Sequence, residues 1–338
     1  MRTSTLDHDE ILEHLLSMQE AIAGALIEHM RTAPAGGWSA QIRDEEGDTV
    51  FGLDAVVEDV LLAHCREWGE HRRFTLLAEG IDARGMVFGS KGAGGVPFRL
   101  LVDPIDGTRN LMFDKRSAWC LMGAAPDRGP RTRLSDVEVA VMTELPTTRM
   151  AVRDRLWAIR GRGARADRRN LYTGEDAPLS VSPSRARTLR WGFATVDNFF
   201  RGGKELLARI EEDLLERALG PWNPEKADVY CDHYISSGGQ LAELALGRDR
   251  FVLDLRPLVH AALGATSSLC ARPYDLCTVR IAQEAGCVVE SVDGSPLDAP
   301  FDVGTNVAFA AYANEDLARE LRPIVRDVVE KHLGRGAA

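Results

Sequence analysis

Hydrophobic residues recur along the chain with two periods, one typical of helices and one typical of strands. Apolar positions three and four residues apart predict a helix over residues 5–30 and a second helix that begins near Asp54. A charged amphipathic segment predicts a third helix over 204–219. We expect two further helices over 275–285 and 314–332, the last of them closing the chain.

Short apolar runs between these segments predict strands. Because the strands occur both in succession and in alternation with helices, we expect an α/β protein with a mixed sheet. Residues 33–48 are predicted to form a mobile loop, and the glycine-rich segment 85–95 a turn. Prolines 178 and 183 suggest a boundary between an N-terminal metal- and phosphate-binding subdomain, 1–183, and a C-terminal subdomain, 184–338, that completes the site. The predicted strands are 74–78, 97–102, 118–124, 137–142, 156–160, 287–290 and 307–311.

Composition narrows the class of protein. With 45% hydrophobic and 27% charged residues, the chain has the balance of an ordinary soluble globular protein. A net charge of −10 argues against a nucleic-acid polymer as the partner. The six cysteines lack C-x-x-C spacing, so we expect buried thiols in a reducing compartment. The polar N-terminus and the absence of a long apolar run predict a cytoplasmic protein without membrane contact.

The candidate chemistry is concentrated in Asp103-Pro104-Ile105-Asp106-Gly107-Thr108, which follows an apolar strand. Two carboxylates close together at a strand end are unfavourable unless a cation neutralises them. Oxygen ligands of this kind are those that Mg²⁺ prefers. The Gly-Thr pair that follows allows backbone amides to approach an anion. A cation site beside an anion site indicates metal-assisted phosphoryl chemistry.

The spacing of the two acids separates this motif from a similar one. In haloacid dehalogenase phosphatases one residue lies between two aspartates, and the first aspartate is a covalent nucleophile. Here Pro104 and Ile105 both intervene, which favours paired metal ligands over a nucleophile and acid. A haloacid dehalogenase-like phosphatase remains the alternative enzyme class.

The motif resembles the signature of the inositol monophosphatase superfamily, which includes fructose-1,6-bisphosphatases and 3′-phosphonucleotide phosphatases. The resemblance implies the layered α/β/α/β/α sandwich of that superfamily and a homodimer. Weaker similarities follow in the same order as in the family. They are Gly52-Leu53-Asp54 with Glu58, Leu76 to Glu79, Gly161 to Ala164, Tyr274-Asp275, and Glu284 to Val289.

The resemblance also implies a site for two or three Mg²⁺ ions, with Mn²⁺ as an alternative metal and Li⁺ as an inhibitor. Glu79, Asp103 and the carbonyl of Ile105 would hold one ion. Asp103, Asp106 and Asp275 would hold a second, and Glu79 would reach a third through water. Gly80 stands where many members of the family carry a second glutamate, and this weakens the case for the third ion.

The same resemblance assigns roles in catalysis and binding. Thr108 and Asp54 would polarise the attacking water, and Glu79 belongs to the same catalytic set. The amides of Gly107 and Thr108 would bind the phosphate. Substrate binding would also involve Asp106 and Asp275.

The region that contacts the substrate alcohol in the family is less similar. It is represented by Ser236-Ser237-Gly238-Gly239, and Tyr274 replaces the family's tryptophan. Asp254 or Arg256 is a candidate for contacts to substrate hydroxyls. Arg109, directly after the motif, would meet either a second anionic group or a surface acid.

The sequence thus predicts an enzyme, a Mg²⁺-dependent phosphomonoesterase that acts on a small phosphorylated polyol, sugar or nucleotide. A fructose-1,6-bisphosphatase or a 3′-phosphonucleotide phosphatase of the same superfamily is the alternative. An alternative of another class is a catalytically weak homologue that binds a metal or a sugar phosphate.

Overall fold

The computed structural model describes residues 6–32, 38, 41–45, 48–81, 84–90, 96–266 and 269–334, with the backbone alone for 41–45 and 48–51. Eight helices lie in these ranges. None of them is long and apolar enough to cross a membrane. The helices are α1 His8–Thr32, α2 Gly52–Gly69, α3 Thr108–Met112, α4 Lys204–Leu219, α5 Ser237–Ala245, α6 Arg256–Ala262, α7 Val279–Ala285 and α8 Glu315–Leu333.

The strands of the described ranges form three sheets. β1 and β2 make a hairpin, β3 to β10 an eight-stranded sheet, and β11 to β14 a four-stranded sheet. The strands are β1 Gln41–Glu45, β2 Asp48–Phe51, β3 Phe74–Ala78, β4 Met86–Phe88, β5 Phe98–Asp106, β6 Ala118–Pro126, β7 Val139–Leu145, β8 Val152–Ile159, β9 Ala164–Asn170, β10 Asp176–Leu179, β11 Phe193–Val196, β12 Asp249–Asp254, β13 Val288–Glu290 and β14 Phe309–Tyr312.

Both large sheets are mixed, as predicted. The order of the eight-stranded sheet is β10-β9-β8-β7-β6-β5-β3-β4, and β3 pairs with β5 in parallel while the other neighbours are antiparallel. The order of the four-stranded sheet is β11-β12-β14-β13, and β11 pairs with β12 in parallel. The carboxyl ends of each parallel pair therefore lie at one edge of their sheet.

Helices cover the sheets in layers and confirm the α/β/α/β/α sandwich. Helices α1 and α2 pack on one face of the eight-stranded sheet, and α5 and α7 lie between the two sheets. Helices α4 and α8 cover the outer face of the four-stranded sheet. Strand β5 shows why two cores result. Leu100 and Val102 belong to the core under α1 and α2, whereas Leu101 belongs to the core between the sheets, because alternate side chains of a strand face opposite sides.

The predicted loop and turn are wrong in part. Residues 41–45 and 48–51 form the hairpin of β1 and β2, and residues 86–88 form edge strand β4. Backbone pairing across a hairpin needs no apolar alternation, so the polar composition of this segment was not informative. The remainder of these two predictions, at 33–37, 39–40, 46–47 and 91–95, lies outside the described residues.

Other elements agree closely with the prediction. Helix α4 and strand β3 have the predicted bounds, and α8 begins one residue later because Asn314 caps it, accepting a hydrogen bond from the Leu317 amide. Helix α7 begins at Val279 rather than at Asp275. The division at residue 183 stays a prediction.

Candidate active site

The two acids of the motif lie at the end of β5, where the strand leaves regular pairing. The register with β6 shifts between Asp103 and Asp106, as in a β-bulge. The Ile105 amide donates a hydrogen bond to Asp103 Oδ1 at 3.0 Å. Only 1% of Asp103 and 6% of Asp106 is exposed. The two residues between the acids thus form an irregularity within β5, and both carboxylates are buried.

A third acid joins them from the segment before α7. Within the described residues, Asp103, Asp106 and Asp275 form a group in which one carboxylate oxygen of each lies within 4.8 Å of those of the other two. The Arg272 amide donates to Asp275 Oδ2 at 2.5 Å and orients it. Strand β6 carries a glycine under this segment. A Cβ on Gly123 would lie 2.5 Å from the carbonyl oxygen of Cys277, so the close approach depends on glycine.

The electrostatics of this group favour a bound cation. Burial, together with the charges of Glu79, Asp106 and Asp275, raises the pKa of Asp103 well above its usual value. Burial, followed by the charge of Asp275, raises the pKa of Asp106 to about 8. Two buried carboxylates and a half-buried third cannot all ionise without compensation, and hard oxygen ligands suit Mg²⁺ or Mn²⁺. The donor set therefore fits a divalent metal ion.

Glu79 reaches the same cleft from the neighbouring strand. It follows β3, which is parallel to β5, and its amide donates to the Val102 carbonyl at 3.3 Å. The Tyr274 hydroxyl donates to Glu79 Oε1 at 3.3 Å. Glu79 lies outside the three-acid group, but its charge contributes to the raised pKa of Asp103. Its role as a metal ligand stays a prediction.

Thr108 and Asp54 come from two helices that begin at the cleft. Thr108 Oγ1 donates to the Ile105 carbonyl at 2.9 Å and lies 3.4 Å from Asp54 Oδ1. A hydroxyl has one proton, so these two acceptors compete for it. The longer distance leaves the contact with Asp54 the weaker of the two.

Gly107 joins the motif to α3 in a left-handed conformation, with φ of 98°. A Cβ at this position would lie 2.7 Å from the carbonyl oxygen of Ile235. This proximity brings the start of α5 onto the motif. Ser236 Oγ and the Gly238 amide both donate to Asp106 Oδ2, at 2.8 and 2.6 Å. The Ser-Ser-Gly-Gly segment thus orients Asp106, a role that the sequence motifs did not predict.

All eight residues predicted to act in catalysis, metal binding or substrate binding line one cleft. The rest of its wall includes Phe199 and Phe200, which the sequence analysis missed, and the candidates Arg109 and Arg256. Asp254 lies behind Arg256 and is fully buried, so only Arg256 of that pair borders the cleft. The eight residues are Asp54, Glu79, Asp103, Ile105, Asp106, Gly107, Thr108 and Asp275.

Comparison with known proteins gives a match at the level of structure. No protein-family model and no curated protein sequence matches the chain. Solved structures match over nearly its whole length. A hypothetical protein from Pyrococcus horikoshii with similarities to inositol-1 monophosphatase is 17% identical, with a TM-score of 0.62, covering 94% of this chain and 98% of that one. The fructose-1,6-bisphosphatase of Leishmania major in its holo form is 13% identical, with a TM-score of 0.66 and coverages of 96% and 99%.

Inositol monophosphatase II from Staphylococcus aureus is a third such structure, 15% identical, with a TM-score of 0.59, covering 96% of this chain and 98% of that one. The chain has the inositol monophosphatase/fructose-1,6-bisphosphatase fold. At identities of 13–17%, these structures support the fold alone, and the activity has to be inferred from the chemistry of the site.

Two weak motifs of the inositol monophosphatase resemblance meet in this fold. The amides of Gly161 and Gly163 donate to the two carboxylate oxygens of Glu284, at 2.8 and 2.9 Å. The turn between β8 and β9 is thereby tied to α7, which follows Asp275. These residues hold the turn and the helix together and do not line the cleft.

Proposed function

We propose that the protein is a Mg²⁺-dependent phosphomonoesterase that hydrolyses a small phosphorylated metabolite by activated water. The observation that carries the proposal is the convergence of Asp103, Asp106 and Asp275 beside Thr108 and Asp54 in one cleft. The names of the structural neighbours, which include inositol monophosphatase and fructose-1,6-bisphosphatase, support the same reaction class. Homodimerisation and a cytoplasmic location stay expectations.

At phosphorus, one P–O bond forms and one breaks, and a proton passes from water to the alcohol oxygen. The oxygen of water attacks phosphorus, the ester P–O bond breaks, and the alcohol oxygen leaves with a proton. A bound divalent cation supplies charge neutralisation and a lowered pKa of water. Asp103, Asp106 and Asp275 would hold it, with Glu79 and the Ile105 carbonyl as further ligands.

Thr108 and Asp54 would orient the attacking water and manage its proton. When the Thr108 hydroxyl donates to Asp54 or to the Ile105 carbonyl, its lone pairs are left to accept a hydrogen bond from water. This directs an oxygen lone pair of the water toward phosphorus. The amides of Gly107 and Thr108 would hold the phosphate oxygens, so that positioning and charge neutralisation supply most of the catalysis.

Phosphate release tests this proposal. We expect hydrolysis of a panel of inositol, fructose and nucleoside phosphates with Mg²⁺, loss of activity in EDTA, and inhibition by Li⁺. Asp103→Asn should abolish turnover, since it replaces a buried anionic ligand with a neutral amide, while exposed Asp59→Asn on α2 should retain it. Retained Mg²⁺-dependent turnover in Asp103→Asn would contradict the site assignment.

Two further outcomes separate the alternatives. Trapping of a stable adduct with beryllofluoride would indicate an aspartyl-phosphate and hence the haloacid dehalogenase mechanism. Binding of Mg²⁺ and a sugar phosphate without release of phosphate would instead support a catalytically weak binding homologue.

A further inference from the structure

We propose that the wall of the cleft formed by Phe199, Phe200, Arg109 and Arg256 binds a planar ring in the alcohol part of the substrate. The preferred substrates are then phosphate monoesters of nucleosides or aryl alcohols, in preference to polyol phosphates. This inference deepens the proposed function and rests on it for the identity of the reaction. We call these four side chains the planar wall, because each of them carries a planar group.

The topology explains why the planar wall forms. Strands β11 and β12 are parallel neighbours, so the segments that follow them emerge at the same edge of the four-stranded sheet. Phe199 and Phe200 follow β11, and Arg256 follows β12. Arg109 comes from the other sheet, as the residue after Thr108. All four side chains line the cleft that contains the three-acid group.

Their flat groups lie in a continuous row. The Arg109 guanidinium carbon is 5.3 Å from the ring centroid of Phe200, and the rings of Phe200 and Phe199 are 4.9 Å apart and nearly perpendicular. The Arg256 guanidinium carbon lies 4.5 Å from the centroid of Phe199. These distances are typical of cation–π and edge-to-face contacts. Each phenylalanine is therefore held beside a guanidinium.

One end of the row is fixed by buried hydrogen bonds. Asp254 accepts from Arg256 through both carboxylate oxygens, at 2.9 and 2.5 Å, and Arg256 also donates to the Leu269 carbonyl at 2.9 Å. Only 5% of Arg256 is exposed. The charge of Arg256 is neutralised by Asp254, so this residue serves as a rigid flat support for Phe199 rather than as a strong anion site.

This chemistry suits a ring better than a polyol. A polyol carries a hydroxyl on nearly every carbon and needs hydrogen-bonding partners for each of them, and a site without such partners leaves them unsatisfied. Phe199 and Phe200 offer none, and the Arg256 guanidinium already donates to Asp254 and to the Leu269 carbonyl. A base or aryl ring has a flat apolar face, and stacking of that face on aromatic side chains stabilises binding. The planar wall therefore selects for a ring next to the phosphate-binding end.

The test compares kcat/KM for a nucleoside monophosphate and p-nitrophenyl phosphate with that for inositol 1-phosphate. We expect the wild type to prefer the two ring substrates. The double substitution Phe199→Ala with Phe200→Ala should lower their kcat/KM by about tenfold or more and change that of inositol 1-phosphate little. Phe199→Tyr should retain the preference because it keeps the ring. Tyr172→Ala, which truncates an aromatic that is 80% exposed after β9, is the matched control.

Two outcomes would overturn the inference. One is a wild type that prefers inositol 1-phosphate, and the other is an equal loss on ring and polyol substrates in the double variant. If no substrate is hydrolysed, the proposed function fails. Calorimetric titration of the nucleoside monophosphate with Mg²⁺ then decides the inference: binding weakened by the double variant supports it, and absent or unchanged binding refutes it.

Discussion

Replacing Asp106 with asparagine should make the metal-free protein more stable and inactive. Asp106 Oδ2 accepts both hydrogen bonds from the start of α5, those of Ser236 Oγ and the Gly238 amide. The amide oxygen of asparagine can accept both, while its amide nitrogen replaces Oδ1. The variant thus keeps its link to α5 and loses the negative charge next to Asp275.

The magnitude follows from the pKa of Asp106, which burial and Asp275 raise from 3.8 to about 8. A raised pKa in the folded state makes ionisation oppose folding. The penalty is absent below the unfolded pKa, grows as the pH rises and levels off near pH 8. At pH 7 it amounts to about 4 kcal/mol. In a chain of 338 residues, 1 kcal/mol shifts the Tm by about 1–2 °C. The metal-free variant should therefore melt about 6 °C higher.

Calorimetric melting in EDTA at pH 5 and pH 7 measures this effect. The difference in Tm between Asp106→Asn and the wild type should be about 2 °C at pH 5 and larger at pH 7. Added Mg²⁺ should stabilise the wild type more than the variant. Asp59→Asn, exposed on α2, should show neither effect. A variant that melts below the wild type at pH 7, or a difference that does not change with pH, would refute the electrostatic argument.

Three further substitutions test the Thr108 hydroxyl, the Gly107 turn and the contact between Glu284 of α7 and the turn before β9. Thr108→Ala should lower kcat by about 100-fold or more with a smaller change in KM, whereas Thr108→Ser should retain activity; equal changes in kcat and KM would contradict its role in orienting water. Gly107→Ala should lower the free energy of unfolding in urea by about 2 kcal/mol or more, because its Cβ would lie 2.7 Å from the Ile235 carbonyl oxygen. Gly80→Ala, also at positive φ but with nothing within 4 Å of the added Cβ, should lower it less. Glu284→Ala should lower the free energy of unfolding by about 2 kcal/mol, because the Gly161 and Gly163 amides lose their acceptor, and should leave kcat unchanged. A fall in kcat without a loss of stability would instead place Glu284 in the catalytic machinery.

Local pattern was sufficient for the elements that bury one regular face. Helices α1, α4 and α8 carry apolar residues at helical spacing, and β3 is a run of five buried residues. The spacing of apolar residues did not predict β1, whose residues are mostly polar, or β4, whose Met86 and Val87 are exposed at the edge of the sheet. It also missed helices α5 and α6 and the strands β9, β10, β11 and β12. In these elements, pairing with a neighbouring strand or packing between sheets decides the conformation, and neither is visible in a short window of sequence.

The sequence by itself determined the chemical content of the site. Two acids separated by two residues and followed by Gly-Thr indicated paired ligands, and motif order indicated the fold. Only the tertiary structure decided how those groups act. It placed Asp275 against Asp103 through the close approach at Gly123, oriented Asp106 with Ser236, and built the planar wall from segments about 50 to 150 residues apart. The physical reason is that ligand type is a property of one residue, whereas distance, burial and pKa depend on neighbours that folding brings together.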